Sequence, residues 1–165
     1  MQFFFKNIIN DLKVSLTDKF DQNFDKKSFF GKAWENTKLP NQRGSLMMRT
    51  GKLRRSITAK QSNNSISWAS SMPYASLHNE GGEVIVTDKM KRYFWAMFYK
   101  TNGSKKPTPE SAMWKALALQ KTGTIMKVKQ RQFIGDHPVT RQEVARIVDL
   151  NMKELEKEIF KKLKK

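Results

Sequence analysis

Apolar residues recur at steps of three or four positions near both ends of the chain, which is the spacing of an amphipathic helix. In the N-terminal segment, acidic residues and lysines fill the positions between them. This pattern predicts an opening helix that ends near Lys26-Lys27-Ser28. Its apolar stripe consists of Phe5, Ile8, Ile9, Leu12, Leu16, Phe20 and Phe24.

The C-terminal segment has a similar stripe and a recognisable start. Thr140-Arg141-Gln142-Glu143 has the spacing of a capping box, in which Thr and Glu side chains bond to backbone N–H groups of the first turn. Lysines are frequent in the last residues, where the helix dipole favours positive charge. The segment therefore predicts a closing helix. Its stripe consists of Val144, Ile147, Val148, Met152, Leu155, Ile159 and Leu163.

Between these helices, apolar and polar residues alternate as they do in strands. Residues 53–60 alternate in this way, and Ile66 and Trp68 do so after the turn cluster Ser62-Asn63-Asn64-Ser65. The two segments predict a β-hairpin. Asparagine tolerates a positive φ, so we expect the two central asparagines to form the reversal.

Residues 83–123 are predicted to form a helical excursion before the last strand. The excursion opens with a short strand and continues with two helices, which residues 102–104 connect. The second helix has Thr108 as its N-cap and a proline at its first position, where a missing N–H costs nothing. Thr122-Gly123 ends this helix, and alternation over 124–133 predicts the last strand.

These elements together predict an α+β fold. It consists of a small antiparallel sheet with a leading amphipathic helix, a helical excursion before the last strand and a closing C-terminal helix. A chain of 165 residues suits one hydrophobic core. We therefore expect a single domain over residues 1–165.

Composition narrows the classes of function. The chain has 32 Lys and Arg against 15 Asp and Glu, a net charge of +17, so an acidic partner is expected. It has no cysteine and only two histidines, so we expect no disulfide, no thiolate nucleophile, no metal and no cofactor. The apolar start at residues 3–5 is far too short for a membrane span, and no membrane partner is expected.

Some glycine and histidine positions are candidates for chemistry. Gly51 and the pair Gly81-Gly82 could hold a phosphate against backbone N–H groups, but no nucleotide-binding spacing surrounds them. We interpret them, with Gly135, as structural turns. His78 and Glu80 could form an acid–base pair, but a structural histidine is favoured because no third group is evident.

A basic group is predicted to contact either DNA phosphates or an acidic protein surface, and the sequence leaves both open. Alternation places Arg54 and Lys60 on the solvent face of the predicted strand. Glu80 is expected to pair with one of the arginines. The group consists of Arg49, Lys52, Arg54, Arg55 and Lys60.

Aromatic residues and methionines are predicted to form a subunit or partner interface, where both types are enriched. Stacking on nucleic-acid bases is the alternative role of the aromatic residues. The predicted interface consists of Met47, Met48, Tyr93, Trp95, Tyr99 and Trp114.

Four ordered blocks of sequence resemble the virion morphogenesis family of tailed bacteriophages. The blocks are residues 29–34, residues 48–57, residues 73–82 and residues 131–135, which include Phe29-Phe30-Gly31, Arg49-Thr50-Gly51-Lys52-Leu53, Pro73-Tyr74-Ala75 and Arg131-Gln132-Phe133. Members of the family are tail-completion proteins, also described as tail terminator or head–tail joining (neck) proteins.

The resemblance implies a ring at the head-proximal end of the tail and no enzymatic activity. The expected function is therefore that of a structural virion protein that completes the tail and joins it to the head connector. The expected partners are further copies of the chain, connector or neck proteins and tail-tube proteins, with possible contact to packaged DNA. Such a protein would be assembled in the host cytoplasm and reside in the tail or neck of the virion. The alternative is a sequence-nonspecific nucleic-acid-binding protein, which the charge favours.

Overall fold

The computed structural model describes residues 2–37, 44–102 and 108–164, and of residues 2 and 3 only the backbone. It combines helices and strands, which confirms the predicted fold class. The helices are α1 (Gln2–Lys26), α2 (Lys52–Arg55), α3 (Ala75–Glu80), α4 (Asp88–Thr101), α5 (Pro109–Ala118) and α6 (Pro138–Leu163). The strands are β1 (Ser28–Phe29), β2 (Lys32–Ala33), β3 (Ile57–Gln61), β4 (Ile66–Ser70), β5 (Gly82–Ile85) and β6 (Ile125–Val128).

The strands form three separate antiparallel pairs, β1–β2, β3–β4 and β5–β6, in the described parts of the chain. The small sheet expected from the sequence is thus divided. No helix among the residues described is both long enough and apolar enough to cross a bilayer.

Helix α1 ends as predicted, at Lys26. Five residues of the predicted stripe, Ile8, Leu12, Leu16, Phe20 and Phe24, are buried, whereas Ile9 is half-buried and Phe5 is exposed. The helix ends where Lys27 takes a φ of 50°, a left-handed conformation that stops helical hydrogen bonding.

The main core forms where α1 meets the segment before α6. The Phe24 ring lies 5.0 Å from the Phe133 ring and 5.6 Å from the Trp34 ring, measured between centroids. The Trp34 Nε1 donates to the Gln132 carbonyl at 2.6 Å, and the Asn23 amide donates to the Phe133 carbonyl at 3.1 Å. These bonds satisfy polar atoms next to the aromatic cluster, so the segment is held firmly against α1.

The predicted hairpin is present as β3–β4, with Ile57 opposite Ser70 and Gln61 opposite Ile66. The expected positive φ at Asn63 and Asn64 is wrong, because neither residue has one. A four-residue loop does not need it, since a turn with ordinary negative φ angles can close such a loop. The Ser62 N–H donates to the Ser65 carbonyl at 2.9 Å and closes the loop.

The strand predicted over 53–60 is wrong in its first half. Residues 52–55 form the helical turn α2, and the strand starts only at Ile57. Gly51 precedes the turn with a φ of 67°, and Leu53 enters the main core. The alternation over residues 53–56 therefore does not mark a face of a strand. Leu53 is the one buried residue of a helical turn.

The helical excursion lies between the paired strands β5 and β6, and the last strand covers only Ile125–Val128 of the predicted 124–133. Helices α4 and α5 pack mainly on each other. The Thr108 hydroxyl caps α5, accepting from the Ser111 N–H at 3.1 Å, as its position next to a proline predicts. Helix α5 ends at Ala118, before the predicted Thr122-Gly123. Of the predicted connection 102–104, residues 103 and 104 lie outside the described residues.

The start of α6 was predicted wrongly by three residues. The N-cap is His137, whose Nδ1 accepts from the Val139 N–H at 3.2 Å, while Thr140 is the third helical residue and donates to the His137 carbonyl. The His137 ring lies 4.9 Å from the Phe30 ring, so a tertiary contact selects the cap.

Glu143, assigned to the cap by the sequence, is instead a buried anion between α1 and α6. It accepts hydrogen bonds from Arg146 at 2.6 Å and from the Ser15 hydroxyl, and Lys19 lies 3.5 Å away. The Arg146 hydrogen bonds, with smaller contributions from Ser15 and Lys19, lower the pKa of Glu143 to about 2 from an ordinary value of 4.5, although burial opposes the shift.

Glu143→Gln is expected to remove part of the pH dependence of folding. A lowered pKa in the folded protein means that the contribution is present above the unfolded pKa and is lost as pH falls through the folded one. We expect the wild-type protein to lose on the order of 2 kcal/mol more than Glu143→Gln between about pH 5 and 2, a value reduced for solvent screening. Urea unfolding at several pH values measures this difference; parallel losses in the two proteins would contradict it.

Candidate functional site

The part of the chain that the structure describes contains no group of three or more His, Asp or Glu placed to hold a metal ion. His78 and Glu80 lie two positions apart in α3, a spacing at which helical side chains do not face each other. The predicted structural role suits His78 better than an acid–base role. Burial, and after it the positive charge of Arg131, lowers the pKa of His78 below its ordinary value of 6.5.

A cavity of about 460 Å³, which we call the basic cavity, brings three of the sequence blocks together. Arg49 comes from the segment before α2, and Lys52 comes from α2 itself. His78 comes from α3, and Arg131 comes from the segment after β6. Gly51 also lines it, and its φ of 67° suits glycine. The sequence predicted the first two residues as part of a basic group but did not predict that Arg131 joins them.

Arg54 does not belong to an exposed basic face, contrary to the prediction. It binds Asp21 through its Nε at 2.5 Å and Asp25 through Nη1 at 2.5 Å, and both acids lie on α1. These hydrogen bonds raise its pKa. The helical turn α2 points Arg54 toward α1, whereas a strand would have exposed it.

The other four members of the basic group, Arg49, Lys52, Arg55 and Lys60, are exposed. The Arg55 guanidinium donates to the Thr50 carbonyl at 2.8 Å. The expected pairing of Glu80 with one of the arginines is not among the ion pairs of the described residues.

The predicted aromatic interface residues occur in two groups on the helical excursion. Tyr93 packs edge-on against Trp114 at 5.9 Å, and Trp95 stacks on Tyr99 at 6.0 Å. Tyr93 and Tyr99 are largely exposed, while the other two are half-buried. Both groups leave aromatic surface accessible for contact. Met47 and Met48, by contrast, are half-buried and pack against the main core.

Helix α6 carries an exposed apolar surface that includes most of its predicted stripe. The face that packs toward α1 instead consists of Thr140, Glu143, Ile147 and Asn151, three of which are polar. The Asn151 amide donates to Asp11 of α1 at 3.0 Å. The apolar stripe lies next to this face and is exposed except at its half-buried Leu155. We call it the α6 stripe; it consists of Val144, Val148, Met152, Leu155, Ile159 and Leu163.

A second exposed apolar pair lies on the β5–β6 ladder. Ile85 and Ile125 are directly opposite each other in the register, and both are more than half exposed. Sequence reasoning missed this pair and the exposure of the α6 stripe. The sequence of α6 contains a second series of residues at helical spacing, which is polar and includes Glu143 and Asn151. This second series was the sequence signal for the exposure of the α6 stripe.

Comparison with known proteins identifies one family. No curated protein and no solved structure matches the chain. The sequence profile of the phage virion morphogenesis family matches residues 5–154, which include all four sequence blocks, the basic cavity and the first half of the α6 stripe. The chain therefore belongs to the phage virion morphogenesis family.

Proposed function

We propose that this chain is a non-enzymatic structural protein that completes the phage tail and joins it to the head connector as part of a ring. Membership of the virion morphogenesis family supports a structural role in the virion. The single observation that carries the ring is the exposed α6 stripe, because an apolar surface of this length on a folded chain calls for a partner.

A ring requires a heterologous interface, in which one surface of a subunit meets a different surface of its neighbour. The α6 stripe supplies one such surface. The aromatic groups of the excursion and the Ile85–Ile125 pair supply others, on different elements of the chain. We propose that the α6 stripe contacts the adjacent subunit, while the excursion docks on a neighbouring ring or tube protein.

Electron microscopy of particles assembled without this chain tests the proposal. We expect heads and tails that are not joined, or tails of uncontrolled length. Supplying the wild-type chain from a plasmid is the control and should restore joined particles. Intact infectious particles in the absence of the chain would contradict the proposal.

Sequence-nonspecific binding to nucleic acid remains the second candidate, favoured by the net charge of +17 and by the exposure of Arg49, Lys52, Arg55 and Lys60. Phosphate contacts release counterions, so their affinity falls steeply with salt. Binding to bare DNA that weakens steeply with salt would favour this candidate over the ring if the protein also stays monomeric. The protein should then stay monomeric in the presence of tail-tube protein as well.

A further inference from the structure

Among the residues that the structure describes, those lining the basic cavity include cations and no acid. The 44 residues between Glu35 and Glu80 contain seven Lys and Arg and neither Asp nor Glu. Arg49, Lys52 and Arg131 all line the cavity, and none of them forms an ion pair within the described residues. Positive charge therefore accumulates there without a counter-charge, which favours an anionic ligand.

Arg131 is held in place by backbone atoms rather than by a carboxylate. Only 9% of the residue is exposed, its Nε donates to the Glu35 carbonyl at 3.1 Å, and its N–H donates to the His78 carbonyl at 2.7 Å. Fixing the guanidinium in this way reduces the entropy lost when it binds a ligand. The arrangement is that of a preformed anion site.

His78 contributes a polar atom with no partner. Its Nδ1 is buried and makes no hydrogen bond, although buried polar atoms are nearly always bonded. The Tyr74 ring packs edge-on against the imidazole at 5.9 Å and lines the same cavity. His78 lines the cavity, so its imidazole lies in the same wall as the three cations.

The remaining lining includes the apolar residues Leu46, Met47 and Leu53, together with two threonines and Gly51. A volume of about 460 Å³ is within the range of pockets that take small ligands or side chains. A suitable ligand therefore combines negative charge with apolar groups.

We propose that the basic cavity binds an acidic peptide segment of a partner protein, with a carboxylate near Arg49, Lys52 and Arg131 and an apolar side chain against Leu46, Met47 and Tyr74. The inference rests on the proposed function, which places the chain among other virion proteins. Duplex DNA fits less well, because its phosphates are bound by exposed cations, whereas Arg131 is buried beside apolar groups.

The test is an NMR titration of the purified full chain with the blocked peptide Glu-Leu-Asp-Phe-Glu and with its uncharged counterpart Gln-Leu-Asn-Phe-Gln. We expect the acidic peptide to bind at least about tenfold more tightly, because charge-assisted hydrogen bonds are roughly twice as strong as neutral ones. Shifts should centre on Arg131 and His78. The His78 pKa, which burial and then the charge of Arg131 lower, should rise because a carboxylate would offset the positive charge of Arg131.

Two exposed cavity residues provide the variants, so the test does not depend on changing buried Arg131. The double variant Arg49→Glu and Lys52→Glu should weaken acidic-peptide binding by about tenfold or more. Lys60→Glu is the matched control, because Lys60 is exposed on β3 outside the cavity, and it should stay within about twofold.

Three results would overturn the inference: no preference for the acidic peptide, an equal loss in Lys60→Glu, or a short DNA duplex that binds the same residues more tightly. The outcome is separable from that of the proposed function. If the peptide fails while particles without the chain stay unjoined, the acidic-peptide site is wrong and the structural role stands.

Discussion

Phe24→Ala is expected to lower the free energy of unfolding by about 3–5 kcal/mol, the usual cost of removing a buried phenylalanine ring. Phe24 is fully buried and contacts both Trp34 and Phe133. These rings come from three separate segments, so a cavity at their centre cannot close by movement of one side chain. The loss should therefore fall toward the upper end of the range.

Urea unfolding followed by circular dichroism measures the effect. Val14→Ala is the control on the same helix, because Val14 is 62% exposed and its truncation should change stability by less than about 0.5 kcal/mol. A comparable loss in both variants would mean that Phe24 is not at the centre of the core.

Val148→Asp is expected to weaken ring formation more than tenfold while leaving the subunit folded. Val148 belongs to the α6 stripe and is 37% exposed, so an aspartate meets no steric obstacle in the isolated chain. In an assembled ring it would replace apolar contact by a desolvated charge. An uncompensated buried charge costs about 3 kcal/mol or more, and 1.4 kcal/mol corresponds to a factor of ten in affinity, so self-association should weaken more than tenfold.

Light scattering of the purified chain, alone and with tail-tube protein, measures self-association, and plasmid complementation measures particle assembly. Gln142→Asp is the matched control, since it adds the same charge to an exposed position on another side of α6. Assembly that survives Val148→Asp, or that fails equally in Gln142→Asp, would remove the α6 stripe from the interface.

Local sequence signals predicted several elements correctly because the physics behind them is local. The period of α1 and the proline after Thr108 act through neighbouring residues alone, and both predictions are confirmed. The hairpin β3–β4 was equally clear, since alternation and a polar turn cluster specify pairing between adjacent segments.

The predictions were wrong where two local structures fitted the sequence almost equally well. Both His137 and Thr140 can accept a hydrogen bond at a helix start, and packing of the His137 ring against Phe29 and Phe30 selects the earlier cap. Likewise, the pattern around Leu53 fits a strand or a helical turn. The core contact of Leu53 and the ion pairs of Arg54 with α1 favour the turn.

The amino-acid sequence by itself determined the helices at the two ends, the central hairpin, the excess of positive charge and the family. Only the tertiary structure decided which face of α6 is covered. Glu143 and Asn151 can be buried because Ser15, Lys19 and Asp11 of α1 bond to them, and this compensation cannot be read from α6 alone. The same packing of α6 on α1 leaves the α6 stripe uncovered. The tertiary structure also places Arg49, Lys52 and Arg131 around one cavity, because distant segments meet only when the core forms.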